Sequence, residues 1–206
     1  MEKLSDWSML MLAWAEEVRR LIGELYAVRK EHWDLLAAQE RSEDWSPSDE
    51  VIARAFRRHW VASHQVVWAA YQLNRWAARD ARDSGREVPA ADAVLKNLRD
   101  ALEHLDEAEW QDDVTLGPPP EGTGRNKLTG RALRELPGNG LLFGVGFDGK
   151  VLGLVDIDEL DRRAAGIIEA LDHAEYESVE AEVEHLLEAG WWQDDIPDKA
   201  GNSDEG

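Results

Sequence analysis

The stretch DWSMLMLAWAEEVRRLIGELYAVRKEHWDL, residues 6–35, decides how the rest of the chain is read. Apolar or aromatic residues fall at Trp7, Met11, Trp14, Val18, Leu21, Leu25 and Val28, and His32 and Leu35 continue the series. The steps alternate four and three, which places every member on one face of a helix. The spacing predicts one long amphipathic helix over about 6–41, with Ser5 or Asp6 as its cap. A stripe that long needs partners, and the following residues supply them. Ser46-Pro47-Ser48-Asp49 is a second start signal, with Ser46 as cap and proline tolerated in the first turn. The helix it opens, about 46–84, is apolar nearly all round at Val66–Tyr71 and closes at Ser84-Gly85. A third helix, about 89–110, carries Ala91, Val94, Leu95, Leu98, Ala101, Leu102 and Leu105 as a single stripe. A fourth, about 158–189, carries Leu160, Ala164, Ile167 and Leu171, then Val179, Val183 and Leu186 in a shifted register.

Between the third and fourth helices the period changes. Gly117-Pro118-Pro119-Pro120-Glu121-Gly122-Thr123-Gly124 reads as a loop, because proline removes donors and glycine raises the entropy of ordering. Leu141, Phe143, Val145 and Phe147 then alternate with smaller residues up to Asp148-Gly149, a hairpin turn pair. A hairpin over 140–156 is expected, with Gly144 facing Gly153, Phe143 facing Leu154 and Val145 facing Leu152. Alone it would be marginal in water, so its greasy face should dock on the helices. The expected fold is mainly α: a single domain over 1–192, an antiparallel bundle of long helices with a small C-terminal β-hairpin. The tail, 193–206, is polar and acidic and reads as disordered. No internal repeat is present.

The 206 residues are enough for one domain and carry 23 Lys and Arg against 43 Asp and Glu, a net charge of -20. With 43% hydrophobic residues the chain has a core to bury, and with no cysteine it has no disulfide, thiolate metal site or cysteine nucleophile. The apolar run Met9–Ala15 is too short to span a bilayer and lacks a basic leader, so neither membrane anchor nor signal peptide is expected. A cytoplasmic protein is the corresponding expectation.

So acidic a chain should repel nucleic acid on average. The charge is unevenly placed, however. From Asp156 onward 17 acids face 3 bases, a net of -14, which leaves -6 for residues 1–155. Within Val51–Arg86 seven arginines stand against Asp80 and Asp83 alone. If the second and third helices pair antiparallel about a turn near residue 87, Arg75 lies level with Arg99 and Arg79 with Leu95. Arg75 and Arg79 are therefore candidate RNA-binding residues, although a solvated helix face would also accommodate them.

The third helix holds Asn97-Leu98-Arg99-Asp100-Ala101-Leu102-Glu103-His104-Leu105-Asp106. At about 100° per residue with Leu98 at zero, Arg99 falls at about 100°, Asp100 at about 200° and His104 at about 240°. Arginine and histidine thus bracket the polar face with Asp100 between them. A plainer reading pairs Arg99 with Glu103 one turn on and leaves Asp100 and His104 solvated. The segment Arg99–His104 resembles the R-x4-6-H motif of HEPN-domain proteins, whose residue after the arginine is often Asn, Asp or His. The resemblance covers about residues 1–110 and 158–189 and does not account for the hairpin. It implies a HEPN-like bundle and a metal-independent endoribonuclease of toxin-antitoxin or defence type, with no cofactor and no metal. It also implies a homodimer in which two motifs share one cleft, with a cognate antitoxin or regulatory protein as a possible further partner.

In that reading His104 exchanges protons with an RNA 2'-hydroxyl, Arg99 holds the phosphate and Asp100 orients the ring. The rival is a catalytically inactive helical dimerisation or binding module that uses its acidic surface to hold a basic protein partner. Other constellations are weaker. Glu182 and His185 form a single Glu-x-x-His, which di-iron bundles use in pairs. His59 and His64, five apart, do not share a face. Gly138-Asn139-Gly140 precedes a strand, so it is no nucleotide loop. Trp7, Trp14, Trp60, Trp68 and Trp76 read as core anchors, and one of Trp191 and Trp192 as a partner contact.

Overall fold

The computed structural model describes residues 6–41, 46–111, 114–119, 130–142 and 149–188. Two long helices, α1 (Asp6–Glu40) and α2 (Asp49–Asp83), form an antiparallel hairpin. Its direction is fixed by pairs at both ends. Ser8 Oγ donates to the buried Asp80 carboxylate at 2.6 Å, and Gln39 Nε2 donates to Asp49 at 2.8 Å. The expected stripe of α1 is buried from Met11 through Val18, Leu21, Leu25 and Val28 to His32, while Trp14 packs at its margin. α2 answers with small residues, Ala62, Val66, Ala69, Ala70, Leu73 and Ala77, which let the two backbones approach closely. Its cap is Ser48 rather than Ser46: Pro47 precedes the helix, and Asp49 and Glu50 sit where the helix dipole favours negative charge.

α5 (Ile157–Glu188) packs antiparallel along α1, with Arg19 Nε 2.9 Å from Asp161 and Tyr26 Oη donating to Asp158 at 3.2 Å. Ile157, Leu160 and Ala164 are its buried residues. The third helix differs from expectation. α3 spans only Ala93–Glu103, capped by Asp92, whose carboxylate accepts from Leu95 N at 2.9 Å. It stops before the motif histidine because its last turn holds Asp100 and Glu103 and no basic residue, with Asp106 and Glu107 just beyond, where the dipole opposes negative charge. Residues Leu105–Glu107 make one 3₁₀ turn, and β1 (Glu109–Gln111) follows.

The strands also pair differently. β1, β2 (Val114–Leu116) and β3 (Gly140–Leu142) form a three-stranded antiparallel sheet, with Thr115 between Trp110 and Leu141. The expected register sets Leu142 against Val155; instead Leu142 pairs with Val114. β4 (Lys150–Val151) turns back through Leu152 and Gly153, both at positive φ, onto β5 (Val155–Asp156). Among the described residues, Gly140–Leu142 thus takes β2 as its partner, and Lys150–Val151 pairs with Val155–Asp156. Phe143, Val145, Phe147 and the pairings expected of them lie outside the described residues, as do the loop residues 120–129, Trp191, Trp192 and the tail 193–206. A short helix, α4 (Arg131–Arg134), seats Leu133 in the core beside α3. Gly130 precedes it at φ +64°, where an added Cβ would meet Pro118 at 2.3 Å, so that corner admits only glycine. The molecule is mainly helical with small antiparallel sheets. No helix among the described residues is long and apolar enough to cross a membrane.

Candidate nucleic-acid interface

Helices α2 and α3 run antiparallel, so residues near the start of α3 lie beside the last turns of α2. A cleft of about 780 Å³ opens there. α2 contributes Arg75, Arg79 and Arg82, α3 contributes Lys96, and Arg163 reaches in from α5. Asp92 is the one carboxylate on the lining among the described residues, and it is engaged as the cap of α3. Arg75, Arg82 and Arg163 form no ion pair with any described residue. Arg79 stacks over the Trp7 ring at 4.8 Å, and Trp7 in turn stacks on Trp76 with centroids 5.6 Å apart and planes 16° from parallel. The cleft therefore combines free guanidinium groups, an aromatic ledge and the positive end of α3. Asn74 adds a buried side-chain oxygen without a partner among the described residues on the same lining.

Tyr71 connects this cleft to Arg99. Its ring lines the cleft and its hydroxyl accepts from Arg99 Nη2 at 2.9 Å. The guanidinium lies 4.3 Å from the Tyr71 ring centre and 6.0 Å from that of Trp68. Arg99 is also paired. Its Nη2 stands 2.8 Å from Asp100, its Nη1 donates to Glu103, and its side chain is only 19% exposed. Asp100 bridges onward to Lys96 at 2.9 Å. Burial works against the charge on Arg99, but the bonds to Glu103 and Tyr71 and the nearby carboxylates outweigh it and hold the pKa above the ordinary arginine range. The cluster of Arg99, Lys96, Asp100 and Glu103 is neutral as a whole.

His104 is placed otherwise than its helical projection requires. It is the residue that ends α3, at φ -115° and ψ 28°, with its ring 59% exposed and Nδ1 3.4 Å from Glu107. Asp100 bonds Lys96 and Arg99, so the carboxylate that touches the imidazole is Glu107. Another histidine shares a neighbour with Arg99. His64 on α2 feels the Glu103 charge; burial lowers its pKa, and Glu103 opposes that shift. With Trp14, Val61 and Trp68 it lines an apolar groove of about 420 Å³ beside the Arg99 cluster.

Arg75 and Arg79 thus share one cleft, and Arg99 and Asp100 share an adjoining network. Sequence reading missed Tyr71, Lys96 and Arg163, and counted Arg82 in the basic segment without giving it a place at the site. Tyr71 and Arg82 were findable, standing four before and seven after Arg75 on the same face of α2. Arg163 was not, since only packing brings α5 to the cleft. Among the described residues no group of three or more histidines and carboxylates is arranged to hold a metal ion. No family model, curated protein or solved structure matches the chain.

Proposed function

We propose that the chain binds single-stranded RNA in the arginine-lined cleft and belongs to the HEPN-like endoribonucleases as a homodimer. The cleft carries this reading. Three guanidinium groups without carboxylate partners among the described residues, beside a Trp7–Trp76 ledge, form a surface suited to a phosphate backbone with bases stacked against rings. A net charge of -20 disfavours approach at long range, but beyond about 8 Å physiological salt screens it, and contact depends on the local cations.

Cleavage asks more of the same residues. The 2'-oxygen would attack phosphorus as His104 takes its proton, the 5'-oxygen would leave with a proton from the partner's matching histidine, and a cyclic phosphate would remain. Arg99 would stabilise the added phosphate charge, which requires an RNA phosphate to displace Glu103 from the guanidinium. Pairing of Arg99 with Glu103 and Asp100 in the single chain favours a second reading, a catalytically silent binding module. One experiment separates them: incubation of RNA with EDTA and wild type, His104→Ala, Arg99→Ala or Arg75→Ala/Arg79→Ala. The ribonuclease reading predicts cleavage by wild type and a loss of at least about 100-fold in His104→Ala. Equal cleavage by wild type and His104→Ala rejects the assignment. Binding without cleavage leaves the module.

A further inference from the structure

α5 leaves the bundle halfway along its length. Up to Leu171 one face of it, from Ile157 and Leu160 through Ala164 and Ile168 to Leu171, is buried or half-buried in the bundle; from Asp172 to Glu188 every residue is exposed except the half-buried Ser178 and Leu186. At about 1.5 Å per residue this free half is about 25 Å of helix. It is not polar all round. Tyr176, Val179, Val183 and Leu186 follow one another at steps of three, four and three, the spacing of a coiled-coil seam, and Tyr176 and Val179 are 66% and 53% exposed. Valines are poor helix formers, and here about half of each side chain stays exposed, so within the single chain their apolar surface is only partly used.

The edges of that seam carry a single sign. Glu175 and Glu182 border one side and Glu180 the other, where Glu184 and Glu188 continue the row. Between Asp172 and Glu188 there are seven carboxylates and neither lysine nor arginine. Glu180, Glu184 and Glu188 repel one another at successive four-residue steps. A second copy of this helix would set carboxylates against carboxylates, so the charge pattern selects a cationic occupant.

We propose that the free half of α5 docks a basic amphipathic helix of a partner protein. The partner's apolar stripe would cover Tyr176, Val179, Val183 and Leu186, and its Lys or Arg residues would meet Glu175, Glu180 and Glu182, as flanking charges do in paired helices. This proposal is independent of the RNA reading, since none of these residues lies at the cleft. The test uses the full chain and three synthetic helical peptides, titrated at 150 mM salt by fluorescence anisotropy. One has a Leu seam flanked by Lys, one the same seam flanked by Glu, and one the Lys flanks with Ser in the seam. The first should bind wild type at least tenfold more tightly than either of the others. Val179→Asp/Val183→Asp should reduce it to the level of the Ser-seam peptide without changing the melting temperature or RNA affinity. Equal binding of both Lys peptides, no binding of the first, or indifference to the double substitution would overturn the proposal. So would a wild-type dimer that the double substitution converts to monomer, because a second copy would then be the occupant.

Discussion

Arg99 is where binding and stability compete. Its guanidinium is stacked on Tyr71 and shared between Glu103 and Asp100, so a phosphate entering from the cleft must replace one of those carboxylates. Glu103→Gln keeps the shape of that contact and removes its charge. If RNA reaches Arg99, fluorescence anisotropy should show affinity for a short RNA rising about three- to tenfold; a purely structural pair would show lower stability and unchanged affinity. A second residue-scale effect lies in the core. His32 and His59 are buried with ring centres 5.9 Å apart, and His32 Nδ1 and His59 Nε2 have no hydrogen-bond partner among the described residues. Burial lowers the pKa of both, and for His59 burial together with the Arg29 and His32 charges brings it to about 4. The unfolded chain, with histidine near pH 6.5, therefore takes up protons first. The neutral-state stability that His59 contributes is complete above about pH 6.5, declines as pH falls through the window down to about 4, and levels off below it; His32 adds to the decline in the same direction. His59→Gln should flatten the fall in melting temperature across that window.

At the scale of elements, α3 carries the cleft's lysine and the Arg99 network on only eleven residues. Short helices of that kind depend on tertiary packing and on their caps. Leu95, Leu98 and Ala101 are fully buried, and Asp92 accepts from Leu95 N. Asp92→Ala should cost about 1 kcal/mol, a loss of about 2–4 °C in melting temperature by calorimetry for a chain of this size. Removal of that carboxylate also leaves the cleft more positive, so RNA affinity should hold or rise while stability falls. The early stop of α3 has a larger consequence, because it releases His104 from the helix and hands it to Glu107. Periodicity did not reveal this. Leu105 continues the apolar stripe, and the acidic residues that end the helix weigh less in a pattern count than in the field at a helix terminus.

Over the whole molecule, charge is separated. The arginine cleft lies where α2, α3 and α5 meet, whereas the distal half of α5 holds an unrelieved acidic surface away from it. Binding at the cleft should therefore depend on few contacts. Arg75→Ala/Arg79→Ala should weaken RNA binding similarly for different sequences and reduce the slope of log affinity against log salt by about 1.4, at about 0.7 per contact on a single strand. Light scattering tests the dimer: two copies sharing one cleft give twice the 23.2 kDa chain mass. A monomer would leave His104 without its counterpart and favour binding over cleavage.

The three long helices were legible because an apolar stripe with a three-four step has one packed solution, and α1 and α5 match their expected spans within a residue, whereas α3 is half its expected length. The basic segment was legible in the same local way, as arginines on one face of α2. The pairing of β2 with β3 was not, since Leu141 and Leu142 alternate correctly for any partner, and Thr115 lies 26 residues back from Leu141. Nor was the state of Arg99. Its neighbours in sequence offered both a phosphate site and an ion pair, and only the folding of α3 against Tyr71 and Trp68 held the guanidinium beside Glu103. Local spacing decides which face of an element is buried; which residues from separate elements meet depends on how those faces stack, and that is settled only when the core closes.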